Sequence, residues 1–231
     1  MQTINATGGI RILDTRTTAS LLAKVLWMTT AGFLFTALGA ALAPAAPGFG
    51  FFGFFILSFF LLFAIRFAAQ RSTGLALALF YLFTLIEGVC VGPLIQSYLH
   101  LANGQTIVFE AAITTAVGMA VMALIAQIAN FNYQRVGNYA IAGLFALMIV
   151  GILSMFFHFM GPAAYSIYCW GGLAIFSVLL LVDFMRLRDT PANSSPVFLA
   201  LSIYLDALNI FLFLLQIFGN GSGNNRRNGR W

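Results

Sequence analysis

Residues 197–218 read VFLALSIYLDALNIFLFLLQIF. About 20 apolar residues cross the hydrocarbon core of a bilayer as one helix, so this stretch is long enough to span. It nevertheless carries Asp206 in its interior. Ser202, Asp206, Asn209 and Gln216 stand at intervals of four, three and seven, which places them on one helical face. Polar groups inside a span face the protein interior or a water-filled path. The stretch therefore predicts a central helix wrapped by the rest of the chain.

Outward from that helix the chain is of the same kind. It has 231 residues, of which 61% are hydrophobic and 7% charged. A soluble domain averages about 25% charged residues, so this chain cannot make a solvated surface. Apolar runs recur from end to end and predict an all-α polytopic membrane protein with seven transmembrane helices, six of them around the seventh. The formal charge is +5, but the basic residues are scattered singly at the ends of runs. That is the distribution of membrane topology signals, and it excludes nucleic acid as a partner. Cys90 and Cys169 both fall in apolar runs and read as small buried hydrophobes. The first apolar run is too long for a signal-peptide core and reads as a retained span.

In order, residues 1–18 read as a polar cytoplasmic segment. Residues 19–218 read as a single seven-helix domain, with spans near 19–42, 49–69, 75–99, 107–128, 140–160, 163–184 and 197–218. A Pro-Gly turn at 44–48 closes the first span. Gly88, Gly92 and Pro93 predict an interruption near the middle of the third. Residues 219–231, rich in Gly and Asn, read as a disordered tail. The N-terminal region and the second, fourth and sixth links carry Arg11, Arg16, Lys24, Arg71, Arg135, Arg186 and Arg188, while the other links carry no Lys or Arg. The positive-inside rule then puts the N-terminus in the cytoplasm. Arg226, Arg227 and Arg230 break the alternation. Either the last helix is re-entrant, or these distal arginines are overridden; its length favours a full crossing. Tyr98, Tyr133, Tyr139, Tyr165 and Tyr168 fall near span ends, where interfacial aromatics sit. His100 and His158 read as outer-surface residues and not as a metal pair.

Three of the six acidic residues, Glu87, Asp183 and Asp206, fall inside spans, where a charge needs a partner or a purpose. Asp183 and Asp206 are equally far in sequence from the middle of the turn between the last two spans, so their side chains are able to meet. Two carboxylates in contact at low dielectric do not both ionise cheaply, and their titrations couple. Such a pair fits a proton-controlled latch. A divalent cation such as calcium fits in place of the proton, weakly, because two carboxylates fall short of six to eight oxygen ligands. The plainer alternative is an ion pair between Asp183 and Arg186. Glu87, beside Gly88 and the Gly92-Pro93 break, would line a small polar cavity or hold a proton against a neighbouring hydroxyl. Arg66 either snorkels to the surface or turns inward to an aspartate.

No phosphate loop, zinc spacing or His-Glu-x-x-His motif is present, so the chain reads as a non-enzyme without a cofactor. Paired aspartates also occur in intramembrane proteases. The contexts here, Leu-Val-Asp183-Phe and Tyr-Leu-Asp206-Ala, lack the glycines of those motifs.

The segment ALSIYLDALNIFLFLLQIFG, residues 200–219, resembles the C-terminal signature of the Bax inhibitor family, the transmembrane Bax inhibitor motif proteins. Glu87-Gly88 followed by Gly92-Pro93, Asp183 closing the sixth span, and the spacing of the seven spans agree with it. The resemblance covers nearly the whole chain. It implies six helices around a central seventh and a pH-sensitive calcium leak, with Asp183 and Asp206 as the pH-responsive gate. It implies Arg66 as the second-helix arginine that holds the closed state, although Arg71 is close by, and Glu87 in a supporting role. Asn209, on the polar stripe, joins them as a supporting pore or latch residue. The expected partners are the lipid bilayer, calcium ions and protons. The alternative is a non-transporting modulator of another membrane protein, such as a membrane protease or a cell-death regulator. The short compact chain points to a bacterial inner membrane.

Overall fold

The computed structural model describes residues 3–43, 51–157, 160–191 and 194–228. Seven α-helices and no strand occur among them: α1 Thr3–Leu42, α2 Phe51–Ala68, α3 Thr73–Leu99, α4 Gly104–Ile128, α5 Tyr133–Phe157, α6 Pro162–Asp189 and α7 Pro196–Asn228. In hydrocarbon every backbone N–H and C=O must be satisfied within the segment, so apolar runs of this length become helices. Six of the seven contain a stretch long and apolar enough to cross a membrane; the shorter apolar run of α2 is Ile56–Ala68.

Local chemistry sets the helix ends. The Ser72 hydroxyl accepts from the Leu75 N–H at 3.4 Å before α3. The Asn132 side chain accepts from the Arg135 N–H at 3.1 Å before α5. Both are side-chain caps on otherwise orphaned donors. Pro162 and Pro196 stand first in α6 and α7, where the missing N–H costs nothing.

In its most apolar stretch, 67% of α7 is buried, against 39% of α6 and 11% of α5. This is the property expected of a central helix. The apolar part of α7, Pro196–Asn220, is 25 residues long and sufficient for a full crossing.

Two differences from the sequence reading stand out. α3 is continuous through Pro93. A proline removes one helical hydrogen bond, yet spans tolerate it where neighbouring structure satisfies the freed carbonyl. The glycines before it serve helix packing and do not open a break. α7 also runs on past Phe218 to Asn228, through the Gly- and Asn-rich segment. Extending a formed helix adds one hydrogen bond per residue fixed, so an anchored helix carries polar residues beyond its apolar part. The turn expected at 44–48 lies outside the described residues.

The helices divide between two compact units. The first holds α1, α2, α3 as far as Gly92, the end of α6 from Arg186, and α7 as far as Tyr204. To its core α1 contributes a narrow seam: Leu21, Val25, Thr29, Gly32, Thr36 and Gly39 are buried at helical spacing. A Cβ on Gly39 would stand 2.1 Å from the Leu85 carbonyl oxygen, and one on Gly88 2.2 Å from that of Thr36. α1 and α3 therefore meet backbone to backbone, as small residues permit within membranes.

The second unit holds α3 from Pro93, α4, α5, α6 as far as Met185, and α7 from Leu205. Gly137, Gly143 and Gly151 of α5 lie against Val182, Ile175 and Tyr168 of α6, in reversed order along an antiparallel pair. The Phe213 ring of α7 seats on Gly172 of α6, where a Cβ would meet it at 2.3 Å.

Candidate functional site

Asp183 and Asp206 belong to the same unit, on α6 and α7. They are 5% and 7% exposed, and Val182, Phe184, Met185, Ala207 and Leu208 beside them are also buried. Asp183 lies six residues before the end of α6, and Asp206 ten residues after the start of α7. At 1.5 Å per residue these are about 9 and 15 Å of helix. The two depths are thus not equal as the sequence count has them, because α6 continues to Asp189 while α7 begins directly at Pro196. Arg186 is exposed.

The remaining polar stripe of α7 divides by partner. Asn209 turns back on its own helix, donating from Nδ2 to the Leu205 carbonyl at 2.8 Å. Gln216 reaches α6. Its Nε2 donates to the Leu212 carbonyl at 3.0 Å, while its Oε1 accepts from the Tyr165 hydroxyl and from the Cys169 thiol, the latter at 3.7 Å. Tyr165 and Cys169 are therefore members of a polar cluster, beyond the interfacial and apolar roles that their positions suggest. Nearer the aspartates, Phe213 packs between Tyr168 and Phe176, with ring centres 5.9 and 6.0 Å away. A cavity of about 550 Å³ opens beside the cluster, lined by Met160, Pro162, Tyr165, Ser166, Cys169 and Ile217 among others.

The other candidates lie in the first unit. Glu87 is half-buried on α3, and Cys90 follows on the same face. The Ser58 hydroxyl of α2, on a residue 4% exposed, faces both without closing an ordinary hydrogen bond to either. Arg66 is exposed in the last turn of α2, with its guanidinium carbon 5.7 Å from the centre of the Phe198 ring. Of the two orientations open to it in the sequence, this is the outward one.

Sequence reasoning missed one fully enclosed polar contact. Tyr204 is fully buried on α7, and its hydroxyl lies 2.6 Å from that of Thr36 on α1. Phe33, Phe80 and Phe83 surround its ring, with centres 5.1, 5.8 and 6.2 Å away. The available signal was the seam of Thr29, Gly32, Thr36 and Gly39, which marks a protein-facing side of α1.

No group of three or more His, Cys, Asp or Glu able to hold a metal occurs among the described residues. A cation at the aspartates would take its further ligands from backbone carbonyls or water. The His100 ring nitrogen Nδ1 lies 2.7 Å from the Gln96 carbonyl; His158 lies outside the described residues.

Comparison with known proteins gives one family match and several bacterial relatives. The family described as inhibitor of apoptosis-promoting Bax1 matches residues 18–223. An uncharacterized protein of Neisseria meningitidis serogroup A is 28% identical over 207 residues, covering 86% of this chain and 89% of the relative. An uncharacterized protein of Borreliella burgdorferi is 28% identical over 217 residues, covering 86% and 90%. An uncharacterized membrane protein of Streptococcus pyogenes serotype M1 is 27% identical over 176 residues, covering 73% and 74%. With the signature helix, the seven-helix architecture and a family match over most of its length, this chain belongs to the Bax inhibitor family of membrane proteins.

Proposed function

We propose that this protein is a passive, pH-sensitive cation leak pathway, with calcium as the ion and Asp183 and Asp206 as its gate. The observation that carries the reading is the burial of two carboxylates in one compact unit, on consecutive helices and beside buried apolar neighbours. Such groups inside a span mark ion pathways and proton relays. Family membership supports it, since the resemblance implies the same two positions as the pH-responsive pair.

The mechanism follows from like charges at low dielectric. With one proton shared, the two carboxyl groups hold each other and the path is closed. When the second proton leaves, the carboxylates repel, and the charge that opens the pair also attracts a cation. The sign is therefore fixed: leak rises with pH. Glu87 offers a further carboxyl for the path and Asn209 a further polar group on the α7 stripe. We place the protein in a bacterial inner membrane with its N-terminus in the cytoplasm.

The test is calcium entry into liposomes holding the purified protein, from about pH 5.5 to about pH 8. A leak that rises with pH in the wild type and is flattened in Asp183→Asn/Asp206→Asn supports the gate. Equal flux and equal pH dependence in the double variant overturn it. Inert liposomes at every pH, with a membrane protein co-purifying, would replace transport by modulation of that protein.

A further inference from the structure

Arg66 in the last turn of α2 and Arg71 in the turn that follows it are held by aromatic rings and not by carboxylates. Arg66 stands over Phe198, and Arg71 over Phe67 at 5.1 Å. Both guanidinium groups are on exposed residues, and neither has a carboxylate within 4 Å among the described residues. Asp189 is already engaged, with Arg188 at 2.9 Å. A ring under a guanidinium fixes its plane and leaves its N–H donors available, and these match phosphate oxygens in pairs.

A second positive element meets the first. Phe198 is the third residue of α7, so Arg66 lies at the helix's first turn, where backbone N–H groups are unsatisfied and the dipole is positive. Cation beside positive helix end is unfavourable until an anion joins them. The Ser195 hydroxyl, directly before α7, is buried and makes no hydrogen bond among the described residues.

The surroundings specify the carrier of that anion. On α2, Phe63 and Phe59 lie three and seven residues before Arg66, on its face, and are 59% and 56% exposed. Phe67, beneath Arg71, is 63% exposed. A soluble acidic peptide would have to cover this apolar face, whereas a phospholipid brings its own hydrocarbon to it. The turn at 69–72 is also where the arginine distribution places the headgroup region.

We propose that Arg66, Arg71 and the first turn of α7 bind the phosphate of an anionic phospholipid, whose chain lies along Phe63 and Phe59. The site is independent of the transport reading and survives its failure.

Native mass spectrometry of the full-length protein, titrated with phosphatidylglycerol or phosphatidylcholine, tests it. The wild type should retain the anionic lipid preferentially. Arg66→Gln/Arg71→Gln should lose on the order of tenfold or more of that preference, at about fivefold per arginine near a charged surface. Arg135→Gln, which removes a basic residue from the other unit, should leave it within about twofold. An unchanged preference in the double variant, or an equal loss in Arg135→Gln, overturns the site. Displacement of the lipid by inorganic phosphate would make it a soluble-anion site and also overturn it. If the double variant does not fold, a photoreactive phosphatidylglycerol on the wild type decides. Cross-links at the end of α2 and the start of α7 support the site, and cross-links confined elsewhere reject it.

Discussion

The hydroxyl of Tyr204 lies 2.6 Å from that of Thr36, and the direction of this bond is determined by what else Thr36 touches. Thr36 Oγ1 is also 3.0 Å from the Gly32 carbonyl and 3.1 Å from the Thr84 carbonyl. Carbonyls only accept, and a threonine has one hydroxyl proton. Thr36 therefore donates to a carbonyl, and Tyr204 donates to Thr36. The chain of bonds ties α7 to α1 and α3 within the first unit.

That polarity predicts an asymmetry between two conservative variants. In Tyr204→Phe, Thr36 keeps its carbonyl acceptors, so the loss is one net hydrogen bond, about 0.5–1.5 kcal/mol. In Thr36→Val, the buried Tyr204 hydroxyl loses its acceptor, at about 1–3 kcal/mol. Thermal unfolding in detergent should rank Thr36→Val as the more damaging; the reverse order would mean that Thr36 donates to Tyr204.

Close approach of α1 and α3 gives a second prediction. Gly39→Ala and Gly88→Ala each set a methyl against a backbone carbonyl oxygen that has nowhere to move. Each should cost about 1–3 kcal/mol or more, by forcing the helices apart. Gly118→Ala on α4 meets nothing within 4 Å and should stay within about 0.5 kcal/mol of wild type. Equal melting temperatures for all three would refute the backbone contact.

At the other end of α7, Gln216→Leu removes the acceptor of both Tyr165 and Cys169. A loss of about 1–3 kcal/mol is expected, or roughly 2–8 °C in melting temperature for a chain of this size. Tyr165→Phe leaves Gln216 bonded to Leu212 and Cys169 and should cost less. A thermal scan of the two variants side by side checks the order.

The crossing of α7 carries a topological consequence. With seven spans, the two termini lie on opposite faces of the membrane; with a re-entrant α7, on the same face. Tags at the two ends, probed for access in sealed inverted vesicles, should be labelled one at a time. Simultaneous access to both would show that α7 turns back.

The spans were legible because each is written locally. A bilayer sets the length of an apolar run, and 3.6 residues per turn set the face on which Ser202, Asp206, Asn209 and Gln216 fall. Burial of Asp183 and Asp206 followed from the same reasoning, since a carboxyl inside a span avoids lipid. The role of Gly88 and Gly92 was not legible. A glycine next to a proline reads equally as a helix break or as a packing surface, and only the neighbouring α1 decides between them.

By itself, then, the sequence determined that this is a helical membrane protein, where its apolar spans run, and which acids lie inside them. Only the tertiary structure decided who meets whom. Thr36 and Tyr204 are 168 residues apart, and Tyr165 and Gln216 are 51 apart. It likewise decided that Arg66 stands over Phe198. The physical reason is the solvent. Lipid is as apolar as a protein interior, so hydrophobicity marks a span without marking which of its sides faces protein. The inward side is chosen by close backbone contact and by hydrogen bonds between residues that the chain brings together only on folding.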